Sequence, residues 1–416
     1  MTQHRLDKTV SGRRARRLAR ALRGALIGAL IGGASAVAVA QTPLPLKICV
    51  VDDRSGAAAD TGIESLNGIN MVIEPLNARG GINGRKVEIV AYDGKTDPQL
   101  TATFASRCAE DDKALMIIGG SPSATAAAMI PVAAQNAIPY YMLSAAADNL
   151  TDNAVWHYRF GPRASQDGIA VADALADMGI KKVAVIHNST PFGTDGARST
   201  IRSLEAKGIK VVTQQTYDMA ATDVSPQVIN VRQAEADVVL VFPYPADGAR
   251  VARTMRQLGI KSPIVMPRVG IMNAFLKLAG ESADGILVPT SVDVTRPEVA
   301  KLFADYNAKY KPIQPSPSPA QGYDAATLAV KVLSDAEVQK AINSGNLANA
   351  RKAIRDSTER VGRFEGMQGQ KGVGYQFGPG AQHHGVPDRK FFVFTEVANK
   401  GEKLVVPDMT KLKPKN

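Results

Sequence analysis

The sequence predicts an α/β protein made of two doubly wound, parallel-sheet lobes. Three observations carry that expectation. Strand-like and helix-like patterns alternate along almost the whole chain, as parallel sheets covered by helices require. The alternation starts afresh after Trp156-His157-Tyr158-Arg159-Phe160, so the plan occurs twice. Setting aside the first 40 of 416 residues leaves 416 − 40 = 376, more than one compact core usually organises.

Residues 1–40 read as a cleavable export signal. Arg13, Arg14, Arg16, Arg17, Arg20 and Arg23 make a basic stretch, and Gly24 to Val39 is uncharged and rich in Ala, Gly and Leu. Ala38-Val39-Ala40 offers the small residues that cleavage needs, with Gln41 opening the mature chain. The uncharged run is shorter than the ~20 residues a spanning helix needs. No cysteine follows it to take a lipid. The segment carries eight Lys/Arg and one acid, so its net +7 accounts for most of the chain's +11 and leaves +4. What remains has no basic tract interleaved with aromatics, which argues against a nucleic-acid partner. The tail from Lys411 to Lys415 reads as a solvated end.

Leu46 to Val51 is the first buried strand. The next helix shows one face of Ile63, Leu66, Ile69, Val72, Ile73 and Leu76, with Pro75 expected to bend its last turns. Gly80 and Gly81 suit its C-terminus, since glycine accepts the left-handed conformation. Strands follow at Val87–Tyr92, Ala114–Gly119 and Ile138–Leu143, with alanine-rich helices between. The second sheet takes Val183–His187, Val211–Tyr217, Val238–Phe242 and Ile264–Met266, and helices cover Asp195–Lys207, Ala246–Leu258 and Met272–Ala279. Helices at Pro297–Tyr310, Ala320–Leu333 and Leu347–Asp356, a loop at Ile313–Ala320 and a late strand at Phe391–Val397 complete the chain. Ligands of such sheets bind at the carboxyl ends of strands, beside helix N-termini. Cys49 lies in an apolar strand and Cys108 in a helix; they can pair in an oxidising compartment or pack as small buried hydrophobes.

The stretch NARGGINGRKVEIVAYDGKTDP, Asn77 to Pro98, joins a helix end, a double-glycine turn, a strand and an acidic loop. With GGSPSATAAAM (Gly119 to Met129), the Gly322-Tyr323-Asp324-Ala325 helix and the His383-His384-Gly385 piece, it resembles the leucine/isoleucine/valine-binding family of periplasmic solute receptors, which serve ABC importers. The resemblance covers nearly all of the chain after the signal. It implies the type I periplasmic binding protein architecture, in which a three-stranded hinge joins the lobes. Lobe 1 is then 41–162 plus 291–380 and lobe 2 is 163–290 plus 381–416. The crossings are expected near Phe160–Ala164, Pro289–Val292 and Pro379–Pro387. It further implies a periplasmic monomer that closes on a small carboxylate-bearing solute and delivers it to a membrane permease, with no cofactor.

The family's ligand residues map onto named positions. Ser121 or Ser123 sits where a helix cap can bind an anion, and the family uses a serine at the Ser123 position for the ligand carboxylate; the plainer reading is that Ser123 caps its own helix. Ser144, Ala145 and Ala146 match the second carboxylate-binding turn. The family often has a hydroxyl at the Ala146 position, so backbone contacts, helped by Ser144, would have to serve. Phe192 keeps the ring of a ligand-facing tyrosine without its hydroxyl, and Tyr244 matches an aromatic wall. Arg268 departs most, because amino-acid receptors of the family place an acid there for the ligand's ammonium. A guanidinium suits an anion instead, so the expected ligand is an organic or aromatic acid rather than a branched-chain amino acid. Arg268 pointing to solvent, or Asp247 serving the ammonium, are the competing readings.

Gly119-Gly120-Ser121-Pro122-Ser123 nearly matches the G-x-S-x-G nucleophile elbow but ends in Ser, and the sequence designates no histidine base, so an enzyme is not expected. His383 and His384 lack the further ligands of a metal site and read as part of the hinge. GGINGR precedes a strand, whereas phosphate-binding loops precede a helix. A sensor reporting to a membrane receptor would use the same closing cleft, and the residues do not separate it from a transport receptor.

Overall fold

The computed structural model describes residues 43–379, 383, 385–386 and 391–408. The export signal, His384 and the basic tail lie outside the described residues. The first lobe has an all-parallel sheet of β1 (Leu46–Asp52), β2 (Val87–Asp93), β3 (Met116–Gly119), β4 (Tyr140–Met142) and β5 (His157–Arg159), in the order β2-β1-β3-β4-β5. Its connecting helices are α1 (Ala59–Ala78), α2 (Pro98–Glu110) and α3 (Ser123–Gln135). Apolar strand residues are buried on both faces, Ile48 and Val50 in one core and Cys49 and Val51 in the other, as covered parallel strands should be.

The chain then builds the second lobe from α4 (Ala164–Asp177), β6 (Lys182–Asn188), α5 (Pro191–Ala206), β7 (Lys210–Tyr217), α6 (Ser225–Gln233), β8 (Val238–Phe242), α7 (Pro245–Gln257), β9 (Ile264–Val265), α8 (Asn273–Ala279) and β10 (Ile286–Thr290). It returns to the first lobe through α9 (Pro297–Lys309), α10 (Pro317–Leu333), α11 (Ala336–Asn343), α12 (Leu347–Arg360) and the hairpin β11 (Arg363–Phe364) and β12 (Tyr375–Gln376). Finally β13 (Val393–Ala398) and β14 (Lys403–Val405) add an antiparallel edge to the second sheet, whose order is β14-β13-β10-β9-β8-β6-β7. The second lobe is therefore mixed at one edge rather than wholly parallel. Among the described residues no helix is long and apolar enough to cross a membrane.

Two glycines let α1 and α10 meet backbone to backbone. A Cβ on Gly322 would lie 2.0 Å from the Ser65 carbonyl oxygen, and one on Gly68 would lie 2.1 Å from that of Pro319. Gly80 and Gly81, after α1, have φ of 98° and 73°, the left-handed values their position demands. Cys49 in β1 and Cys108 in α2 form a disulfide with a Cα–Cα distance of 5.9 Å, which settles the choice the sequence leaves open.

The chain passes between the sheets three times: between β5 and α4, between β10 and α9, and from Phe392 into β13. One loop ties all three passages. Gln368 donates from Nε2 to the Phe160 carbonyl (3.2 Å) and accepts at Oε1 from Ser291 Oγ (2.7 Å), while Gln370 Nε2 donates to the Phe392 carbonyl (2.9 Å). Asp324 of α10 anchors this loop, accepting from the Met367 N–H (2.6 Å), the Gln368 N–H (3.2 Å) and the Tyr375 hydroxyl (2.9 Å). The third passage comes later than the 379–387 stretch. Phe391 and Phe392 are still packed in the first lobe's core, and His383 lies there with Nδ1 2.9 Å from the His157 carbonyl and Nε2 3.2 Å from Glu359.

Element boundaries differ where caps decide them. Helix α5 starts at Pro191, not Asp195, because Thr190 Oγ1 accepts from the Gly193 N–H and proline fits the first turn. Pro317 starts α10 inside the stretch that reads as a loop, because proline fits the first turn; Ser316 before it gives its hydroxyl to Glu64 and does not cap. Pro75 lies inside the last turn of α1, which runs to Ala78.

Candidate functional site

Two small chambers lie between the lobes and share Arg268 as a wall. The outer one encloses about 330 Å³ of atom-free space, part of it open to solvent, and is lined mainly by apolar side chains: Ala58, Pro122, Phe192, Tyr244, Val269 and Met272. The inner one, about 270 Å³ on the same measure, is more polar, with Asp167, Arg268, Thr290 and Gln321 among its walls. The strand ends place these residues. Phe192 opens α5 after β6, Tyr244 precedes α7 after β8, and Arg268 begins a short 3₁₀ turn after β9. This is the carboxyl-end location that doubly wound sheets favour for ligands.

Phe192 and Tyr244 stack with ring centres 5.7 Å apart and planes 11° from parallel, and the Arg268 guanidinium carbon lies 5.8 Å from the Phe192 centre. Among the described residues Arg268 donates no hydrogen bond; its electrostatic partners are Asp167, Tyr244 and Asp52. Burial disfavours its charge and pulls its pKa down, against the pull of Asp167. Asp167 is pushed up to about 7 by burial, with Arg268 opposing the shift. Arg268 lines both chambers and is half-buried. Asp247 is engaged elsewhere: it accepts from the Tyr217 hydroxyl (2.6 Å), Asn188 Nδ2 (3.1 Å) and the Tyr244 N–H (3.1 Å). It braces the start of α7 and has no oxygen turned to an ammonium.

The first lobe's serine and turn are closed upon themselves. Ser123 Oγ accepts from the N–H groups of Ala146 (3.2 Å) and Ala147 (3.1 Å), so it caps that turn instead of its own helix. The buried Arg159 donates to the carbonyls of Ala145 and, at 2.7 Å, of Ala147. Ser121 lines the outer chamber, but its Oγ (2.6 Å) and N–H (3.1 Å) both go to Asp52 at the end of β1. Burial raises the Asp52 carboxyl to about 7 despite those bonds. Ser144 points away from the outer chamber and donates to Gln321 Oε1.

Of the eight positions singled out by sequence, Ser121, Phe192, Tyr244 and Arg268 line the chambers. Ser123, Ser144, Ala145 and Ala146 stand behind them as the frame of the turn. Sequence reasoning passes over Asp52, Asp167 and Gln321. Asp52 does leave a trace, an acid directly after the apolar run Ile48–Val51. Asp167 and Gln321 sit on helices, where nothing in the pattern sets them apart from surface polar residues.

Comparison with known proteins agrees with this geometry. The periplasmic binding protein family profile matches residues 45–401. The Leu/Ile/Val-binding protein homolog 7 of Brucella abortus is 27% identical over 301 residues, covering 68% of this chain and 74% of the relative. The Leu/Ile/Val-binding protein of Escherichia coli K12 is 27% identical over 264 residues, covering 62% and 71%. Among solved structures, the branched-chain amino acid transporter substrate-binding protein of Streptococcus pneumoniae, in complex with isoleucine, superposes with a TM-score of 0.74 at 21% identity, covering 87% of this chain and 98% of that one. An extracellular ligand-binding receptor of Rhodopseudomonas palustris gives 0.77 at 23% identity, covering 88% and 100%. At such identities the likeness speaks to the fold. With the profile spanning both lobes and the interlobe chambers between them, the chain belongs to the periplasmic binding protein family, whose members bind solutes and are not enzymes.

Proposed function

We propose that the protein is an exported, periplasmic receptor of an ABC importer, acting as a monomer, which captures a small carboxylate-bearing solute between its lobes and hands it to a membrane permease. The ligand is an organic or aromatic acid in preference to a branched-chain amino acid. The observation that carries this reading is Arg268: a guanidinium between two chambers, with no hydrogen-bond acceptor among the described residues. An anion satisfies it, through a bidentate contact if the anion is a carboxylate. A ligand ammonium about 4 Å away would instead be repelled by about 4 kcal/mol at an effective dielectric near 20. The stacked Phe192 and Tyr244 suit an apolar or aromatic body.

A thermal-shift panel on refolded, ligand-stripped protein tests it, pairing each amino acid with its deaminated acid. A ligand at one hundred times its dissociation constant adds about 2.7 kcal/mol, a plain rise in Tm. Stabilisation by the acids alone supports the reading. One observation favours a second reading, an amino-acid receptor: Asp167 shares the inner chamber with Arg268 and could take an ammonium. Stabilisation by leucine or isoleucine, lost in Asp167→Asn, would establish that reading in place of the first.

A further inference from the structure

The chambers differ in what they leave unsatisfied. In the outer chamber the first lobe's hydroxyls are engaged, Ser121 with Asp52 and Thr61 with the Met272 sulfur at 3.9 Å, and behind it the Ala146 and Ala147 amides are held by Ser123. In the inner chamber a donor is left over. Gln321 is fully buried, its Oε1 is taken by the Ser144 hydroxyl, and its Nε2 has no partner. A buried amide N–H without an acceptor keeps its desolvation penalty uncompensated, so the position favours a ligand that supplies one. Gly161 packs closely against this amide, since a Cβ there would stand 3.2 Å from Nε2. Arg268 reaches the same chamber from the second lobe.

Resting on the acid-receptor reading above, we propose that Gln321 is a specificity residue: the ligand's carboxylate enters the inner chamber, bound by Gln321 Nε2 and Arg268, while its apolar body lies outward between Pro122, Phe192 and Tyr244. The ligand is thus an amphipathic monocarboxylic acid held head-first toward the passages between the lobes. The turn from Ser144 to Ala147 supports Gln321 and does not touch the carboxylate.

The test uses the mature wild-type chain with two probes, 3-phenylpropionate and 4-methylpentanoate, by calorimetry and then crystallography of the complex. The proposal expects binding, with a carboxylate oxygen within hydrogen-bond distance of Gln321 Nε2. Gln321→Glu should weaken both acids at least 30-fold by replacing the donor with an anion, and Gln321→Met should weaken them about 5- to 10-fold. A carboxylate found on Ser123 or on the Ala146 and Ala147 amides overturns the proposal while leaving the acid receptor intact. So does loss of binding in Arg268→Gln with none in the Gln321 variants. Failure of both acids to bind wild type, with leucine or isoleucine binding, overturns the acid reading and this one together. The wild-type complex keeps the result decisive if a Gln321 variant does not fold.

Discussion

The carboxylate of Asp60, on the first lobe's α1, accepts a hydrogen bond from the Ala274 N–H at the start of α8 in the second lobe, at 2.7 Å. Beside it the Thr61 hydroxyl lies 3.9 Å from the Met272 sulfur. Helix α8 has no cap from its own chain neighbour, so its capping group comes from across the cleft. Such a cap forms only when the lobes are together.

A side-chain cap is worth about 1 kcal/mol, and linkage charges that loss to the closed form. Asp60→Ala should therefore raise the dissociation constant of any ligand about five-fold and shift ligand-free protein toward a more open shape. Isothermal titration and solution scattering would show both. Unchanged affinity and dimensions would mean the contact has no part in closure.

The disulfide closes a loop of 59 residues. Chain-entropy arithmetic puts its effect near 4 kcal/mol. Guanidinium unfolding with and without a thiol reductant should show a midpoint loss of that order, as should Cys49→Ala with Cys108→Ala. A loss under about 1 kcal/mol would show that packing, not the cross-link, holds β1 to α2.

Stability should fall as pH rises from about 4.5 to 8. Glu64 is buried on α1 with Ser316 Oγ 2.6 Å away, and burial raises its pKa from 4.5 to about 8; Asp52 is raised to about 7. A carboxyl with a raised native pKa keeps more protons folded than unfolded, so the stability it lends is complete below the unfolded pKa and is lost as pH climbs through the native one. Thermal melts across this range should slope downward, and Glu64→Gln should flatten the upper part. A rise in Tm toward pH 8 would contradict the assignment.

Asp324→Ala should be among the most damaging single substitutions in the first lobe. It strands the Met367 and Gln368 amides and the Tyr375 hydroxyl, at about 1 kcal/mol or more each, so at least about 3 kcal/mol should be lost in urea unfolding. Hydrogen exchange at 367–370 should quicken in step. A variant of wild-type stability would mean the loop holds itself.

The sequence makes the repeated α/β plan legible because buried parallel strands such as Val183–His187 and Val238–Phe242 announce themselves as apolar runs. The late run Phe391–Val397 likewise announces β13, but the three-residue β5 carries too little pattern, since what fixes it is pairing with the distant β4, and the three-residue β14 is set by pairing with β13. The site divides the same way. Phe192, Tyr244 and Arg268 follow strand ends, and topology alone brings such positions together. Gln321 and Asp167 come from helices joined to the cleft by tertiary packing, and no local rule foretells that. Ser123 shows a further limit: a serine at a helix start reads as a cap or an anion site, and its actual partners lie 23 and 24 residues away.

The three passages between the sheets also set an order of assembly. The first lobe's core needs α10, Tyr375 and Phe391, and the second sheet needs β13 and β14. A ribosome that has made three quarters of this chain has finished neither half. The first lobe's core stays open until Phe391 and Phe392 emerge, and the second sheet lacks its antiparallel edge until β13 and β14 do, so neither lobe can be completed until synthesis is almost done.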